Sequence, residues 1–174
     1  MISEKAQKYI NRSRKCIKDR QSDKVYTPRE TAKQIIENFN MKGLILEPAA
    51  GDGSFYDQLP HPKDYCEIDE GIDFYNYNKK VDWIITNPPF SHFVPFLYHS
   101  LEVADNVIFY MRLHQLWTRA RLGLITEMGF AMREVFYIYP KPETGFPQFG
   151  QAMAAIHWQR GWEGDVKMNR YRHY

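Results

Sequence analysis

Five mostly apolar residues, Val81 to Ile85, run into Asn87-Pro88-Pro89-Phe90. No other stretch constrains the fold as tightly. A short apolar run bounded by turn residues reads as a buried strand. Proline lacks an N–H and fixes φ, so two in series stop the strand and stiffen the turn. The Pro88 carbonyl then has no helix or ladder to join. It and the Asn87 side-chain oxygen can both point at one external donor. An NH2 group on a ring offers two N–H groups. Accepting both holds the nitrogen out of full conjugation and aims its lone pair at a methyl group. Phe90 offers a flat face for stacking, worth about 1–3 kcal/mol for a base. A plain strand-ending turn is the competing reading.

The rest of the chain alternates strand and helix. "GLILEPAA", "DYCEID", "VDWIIT" and "NVIFYMRL" read as strands, and "HFVPFLYHSLEVA" and "TRARLGLITEMGF" as helices. "YTPRETAKQIIENF" reads as a helix with Thr27 as N-cap and Pro28 at its first position. "GDGSFYDQL" reads as a turn opening a short helix. This pattern implies an α/β sheet covered on both faces. "AMREVFYIYP" and "AMAAIHWQRGW" are joined without a helix, which predicts an antiparallel hairpin at the sheet edge.

The first strand leads into "LEPAAGDGSF", residues 46–55, where Ala49, Ala50, Gly51 and Gly53 let the backbone turn sharply beside a ligand. Ligands of open α/β sheets sit beyond the carboxyl ends of the strands. No Lys-Ser/Thr follows, which argues against a phosphate-binding P-loop. Glu47 ends the first strand, Glu67 ends the second, and Asp73 follows. These acids suit a cationic, donor-rich ligand. S-adenosylmethionine (SAM) offers an amino group, ribose hydroxyls, an exocyclic amine and a sulfonium. Glu67 is placed to accept from two ribose hydroxyls. Asp73 is placed to accept from the adenine amine, with Ile68 and Phe74 on either side of the ring.

From about residue 25 to 162 the chain resembles the DNA adenine-N6 methyltransferases. "YTPRETAKQII" is similar to the motif holding the methionine end of SAM, with Tyr26, Thr27 and Pro28 matching. "LEPAAGDGSF" resembles the first core motif, with Glu47, Pro48, Ala49, Gly51, Gly53 and Phe55 as cofactor-binding residues. Glu67-Ile68 and Asp73-Phe74 resemble the ribose and adenine motifs, and Asn87 to Phe90 the catalytic tetrapeptide. The motif order is that of the gamma arrangement. The resemblance implies a Rossmann-like SAM-dependent methyltransferase fold, mostly parallel with an antiparallel C-terminal hairpin. Two departures stand out. Three residues separate Asp69 from Asp73 where the family has a helix, so one helix is expected to be shortened or missing. The chain also ends soon after the last expected strand, where a target-recognition domain normally follows. Short or borrowed sequence selectivity is the expectation, with a homodimer or a separate specificity subunit as partner. "GFPQFGQAMAAIHW" resembles the closing hairpin of phage-type members, with Pro147 and Gly150 at the rim of a target pocket.

On the nucleic-acid side, Arg112, His114, Trp117, Arg119 and Arg121 follow the fourth strand at the same sheet end as Asn87. Arginines supply phosphate contacts and tryptophan a stacking face; an amphipathic helix with solvated arginines is the alternative. Residues 1–30 carry nine Lys/Arg against four Asp/Glu, whereas 31–158 carry ten against fifteen. Basic flanks around an acidic middle suit a bound polyanion. Residues 1–24 read as a basic helix or arm, 25–165 as the catalytic domain, and 166–174 as a basic and aromatic tail. No run of 18 apolar residues exists, and the N-terminus lacks the apolar segment of a signal peptide. Cys16 and Cys66 form no metal or redox pattern, and the histidines show no ligand spacing, so no metal is expected. An intracellular protein with reduced thiols is the reading that follows. Methylation of RNA or of a glutamine side chain, and a non-catalytic subunit of a methyltransferase complex, are the alternatives to adenine methylation in DNA.

Overall fold

The apolar runs become strands of a single sheet. The computed structural model describes residues 4, 7, 8, 10, 11, 24–115, 118–147, 150 and 152–171. Its strands are β1 (Ile45–Glu47), β2 (Lys63–Tyr65), β3 (Val81–Thr86), β4 (Ala104–Arg112), β5 (Phe130–Tyr137), β6 (Met153–Arg160) and β7 (Lys167–Arg170). Its helices are α1 (Arg29–Asn38), α2 (Phe93–Val103) and α3 (Arg119–Glu127). The strand order is β2-β1-β3-β4-β6-β5-β7. β6 runs antiparallel to β4 and β5, and every other pairing is parallel. The carboxyl ends of all strands but β6 therefore share one edge.

Side-chain alternation along β4 sorts the core into two layers. Val107, Phe109 and Met111 face α2 and α3, packing with Phe96, Leu97, Leu101 and Leu124. Ile108 and Tyr110 face α1, packing with Ala32, Ile35 and Phe39. Ile10, the deepest of the described N-terminal residues, is buried in the first layer. His157 sits in the second, edge-on to Phe39 and tilted over Trp83. Burial lowers its pKa to about 4, so it stays neutral and donates Nε2–H to Asn106 at 3.0 Å.

Four expectations change. The C-terminal hairpin forms, but β6 lies between β4 and β5, and the edge belongs to β7. Residues 167–170, read as part of a tail, pair with β5 because buried Glu134 anchors them. Its Oε1 accepts from Asn169 at 2.7 Å and from Asn38 of α1 at 2.8 Å, with the Lys167 ammonium at 3.6 Å. Thr27 does not cap α1: the helix begins at Arg29, Pro28 occupies the cap with extended ψ of 137°, and no side chain caps it. The helix expected after the glycine turn is one 3-10 turn, Tyr56–Gln58. The connection from β2 to β3 does lack an α-helix, carrying two short 3-10 turns at Ile68–Glu70 and Phe74–Asn76. Among the described residues no helix is long and apolar enough to cross a membrane.

Candidate cofactor and catalytic site

The chain steps from β1 to β2 on one side and then crosses to β3 on the other. The switch in strand order thus falls between β1 and β3, where such sheets bind ligands. A cavity of about 200 Å³ opens there, lined by the loops after β1, β2 and β3 and by the segment 24–27 before α1. Glu47, Asp52, Glu67, Asp69 and Asp73 line it, with Lys24 as the opposing cation.

Glu47 closes β1 and is 2% exposed. Its Oε2 has no hydrogen-bond partner among the described residues. Burial pushes its carboxyl well above the ordinary carboxylate range, the Tyr56 backbone N–H opposes this, and Asp52, Glu67 and Asp57 push it further up. A cationic donor would offset these upward pressures by favouring the ionised form. Pro48, Ala49 and buried Phe55 line the same wall. Gly51 turns the loop at φ +56°, and a Cβ there would stand 2.8 Å from the Tyr26 ring. Its N–H donates to Glu67 Oε2 at 2.6 Å, and Asp69 N–H donates to Oε1 at 2.9 Å. A carboxylate offers about four acceptor positions, so Glu67 keeps capacity for two more donors.

Asp73 accepts Tyr75 N–H through Oδ1 at 3.0 Å and faces the cavity. Ile68, 45% exposed, stands at its mouth. Phe74 is buried against Phe96 and His99, with centroids at 4.7 and 4.6 Å. Tyr26 and Thr27 also line the cavity, and Thr27 Oγ1 is buried without a hydrogen-bond partner among the described residues. Pro28 and Gly53 do not line it. Pro28 borders an adjoining cleft of about 470 Å³ shared with Arg29, Thr144, Phe146 and Pro147. Gly53 shapes the loop at φ +78°, where a Cβ would stand 3.0 Å from the Asp57 carboxylate.

Asn87 follows β3 into the cavity wall. Its Nδ2 donates to the Val25 carbonyl at 3.0 Å, which leaves Oδ1 as the acceptor, buried and without a partner among the described residues. Pro89 lines the cavity, Pro88 is buried, and Phe90 is half-buried with the Arg112 guanidinium 4.9 Å from its ring centroid. Arg121 stacks likewise on Phe93 at 4.7 Å and donates to the Gln115 carbonyl. Two of the arginines expected at phosphates thus stack on Phe90 of the loop after β3 and on Phe93 at the start of α2. Arg119 and His114 are exposed. Trp117 lies outside the described residues, as do Phe149, residues 172–174 and most of the basic arm; Gly150 is exposed.

The sequence reading missed Lys24 and Val25. Lys24 pairs with Asp69 at 2.7 Å, strapping the segment before α1 across the cavity. Its place just before Tyr26-Thr27-Pro28 was a usable signal. The Val25 carbonyl had none, because a backbone acceptor carries no sequence signature.

No family model matches the chain, and no curated protein matches it. Solved structures do. A Pyrococcus horikoshii protein described as a candidate RNA methyltransferase superposes with a TM-score of 0.61 at 14% identity, covering 91% of this chain and 99% of that one. The 23S rRNA methyltransferase ErmE gives 0.60 at 16%, covering 80% and 72%. The M protein of the type I restriction enzyme EcoKI gives 0.58 at 13%, covering 93% and 55%. The fold is that of the class I SAM-dependent methyltransferases. In this class I sheet the acidic cavity stands over the switch point. The chain spans about half the length of the EcoKI M protein. The buried acceptors Glu47 Oε2, Asn87 Oδ1 and Thr27 Oγ1 fit a ligand rich in donors and positive charge, as SAM is.

Proposed function

We propose that this chain binds SAM in the acidic cavity and methylates the N6 amine of adenine in DNA. The observation that carries this reading is the buried Asn87 Oδ1, unpaired among the described residues and fixed as an acceptor by the Val25 carbonyl. Bound SAM supplies an electrophilic methyl group. Glu47 holds the cationic methionine end, Glu67 the ribose hydroxyls, and Asp73 the adenine amine, with Ile68 and Phe74 beside the ring. Thr27 Oγ1 takes a donor at the methionine end. Asn87 Oδ1 and the Pro88 carbonyl accept the two hydrogens of the target amine. With SAM bound, the amine lone pair would attack the methyl carbon as the carbon–sulfur bond breaks to leave a neutral thioether, and one amine proton would pass to solvent. The residues act by positioning and aimed dipoles rather than by a strong base.

The target base reaches the site by flipping from a duplex, at about a few kcal/mol, or from single-stranded DNA at less. Phe90, the last residue of the tetrapeptide, stacks on it. A homodimer or a specificity subunit supplies sequence selectivity. Incubation with labelled SAM and DNA, RNA or protein tests the assignment. Label in N6-methyladenine of DNA supports it. Label confined to RNA or to glutamine moves the same acceptors to another amine, and failure to bind SAM points to a non-catalytic subunit.

A further inference from the structure

The β7 strand extends the sheet on the side away from the cofactor, and its carboxyl end lies on the catalytic edge. β5 and β7 are parallel, and β5 runs in the same direction as β3 and β4. Tyr137, Arg170 and Tyr171 therefore stand along the same edge as Asn87. The register pairs Tyr137 with Arg170, and Tyr171 N–H donates to the Tyr137 carbonyl at 2.9 Å, fixing the end of the strand.

The direction of these side chains follows from Glu134. Lys167 and Asn169 both reach it, so they face the α1 side of the sheet. Strand alternation puts Met168 and Arg170 on the opposite face, with Tyr137 beside Arg170. Met168 is 72% exposed and Tyr137 40%. Arg170 is exposed and makes no ion pair with a described residue. An unpaired arginine beside an exposed tyrosine suits a phosphate backbone with a sugar or base against the ring.

We propose that this face at the end of β5 and β7 is a second DNA contact, binding the duplex that flanks the target adenine. The inference rests on the methyltransferase reading for its choice of DNA. Four strand spacings separate β3 from β7, which at about 4.8 Å each is roughly 19 Å. At about 3.4 Å per base pair this corresponds to roughly five or six base pairs of duplex. The contact reads no bases; it holds the flank and sets how much DNA the enzyme needs.

Binding of the full chain to fluorescent duplexes tests this without depending on methylation. One duplex carries ten base pairs on each side of a central adenine, the other two. Arg170→Ala should weaken binding to the long duplex several-fold and reduce the magnitude of the slope of log K against log salt by about one. It should leave the short duplex and SAM affinity unchanged, and Arg170→Lys should retain most of the long-duplex affinity. Equal losses on both duplexes, or none on the long one, overturn the proposal. If wild-type protein binds neither duplex, it is also overturned. Phosphate-ethylation interference with wild-type protein gives a variant-free readout: a cluster about five or six base pairs from the adenine is expected, and interference confined to the target nucleotide contradicts the assignment. Methylation of DNA with no such cluster would sink the contact and leave the function standing. Binding with the cluster but no methyl transfer would do the reverse.

Discussion

Asn87 Nδ2 donates to the Val25 carbonyl at 3.0 Å, tying the tip of β3 to the segment that straps the cofactor cavity. One hydrogen bond thus leaves the amide oxygen as the free end and joins the loop after β3 to the strap. Asn87→Asp keeps the shape and removes the donor. Its carboxylate would face the Val25 carbonyl, a repulsive contact. We expect single-turnover methyl transfer to fall about a hundred-fold, the scale of an ångström-sized misplacement, because the repelled carboxylate moves its oxygen off the position the amide sets. Stability should fall by about 1 kcal/mol for the lost bond, read by urea unfolding.

Glu47 predicts a pH dependence. Its pKa in the folded chain is raised by burial above the ordinary 4.5. The unfolded chain then releases this proton first, so folding stability falls as pH rises from the ordinary value toward the raised one. Cofactor affinity should do the opposite, because a cationic ligand binds the carboxylate and expels the proton. Calorimetry should show SAM binding strengthening with pH across that window and flattening above it. Glu47→Gln should be more stable than wild type above the window, bind SAM more weakly, and lose the pH slope.

Much of this site was legible because its chemistry sits in short local motifs. β3 appeared residue for residue in "VDWIIT", since its burial follows from apolar side chains alone. The missing helix before Asp73 followed from simple chain length. β7 was illegible for the opposite reason. "KMNR" has no apolar pattern, and what holds it is a carboxylate 33 residues earlier at a β-bulge, where the register slips between Met132 and Glu134. Thr27 was misread because the threonine before a proline looks like a cap, while Pro28 stays extended and the helix waits for Arg29. For the arginines after β4 the sequence left phosphate contact and a solvated helix face open, and it could not show that Phe90 and Phe93 lie beneath two of them.

Gly51 gives a test of the strap. A Cβ at φ +56° costs about 1–2 kcal/mol of backbone strain and collides with the Tyr26 ring. Gly51→Ala should lower the unfolding midpoint and weaken SAM at least ten-fold by displacing Tyr26. An unchanged Kd would show that Tyr26 does not form the cavity wall.

Glu134 gives a test of the edge strand. Glu134→Ala leaves Asn38 and Asn169 without their shared acceptor, a loss of about 1–3 kcal/mol. Hydrogen exchange at the amides of 167–170 should accelerate while those of β3 and β4 stay protected. Uniform acceleration through the sheet would mean that β7 is not a separable edge.

In the proposed reaction an amide oxygen at the tip of β3 cradles an adenine amine opposite a SAM methyl. Mass spectrometry of nucleosides from DNA incubated with SAM and either wild-type protein or Asn87→Ala, with SAM affinity measured alongside, tests this. N6-methyladenine is expected with wild type, with its loss in Asn87→Ala and a SAM Kd changed by no more than a few-fold. Equal N6-methyladenine from both proteins, or none from wild-type protein that binds SAM and DNA, would contradict it.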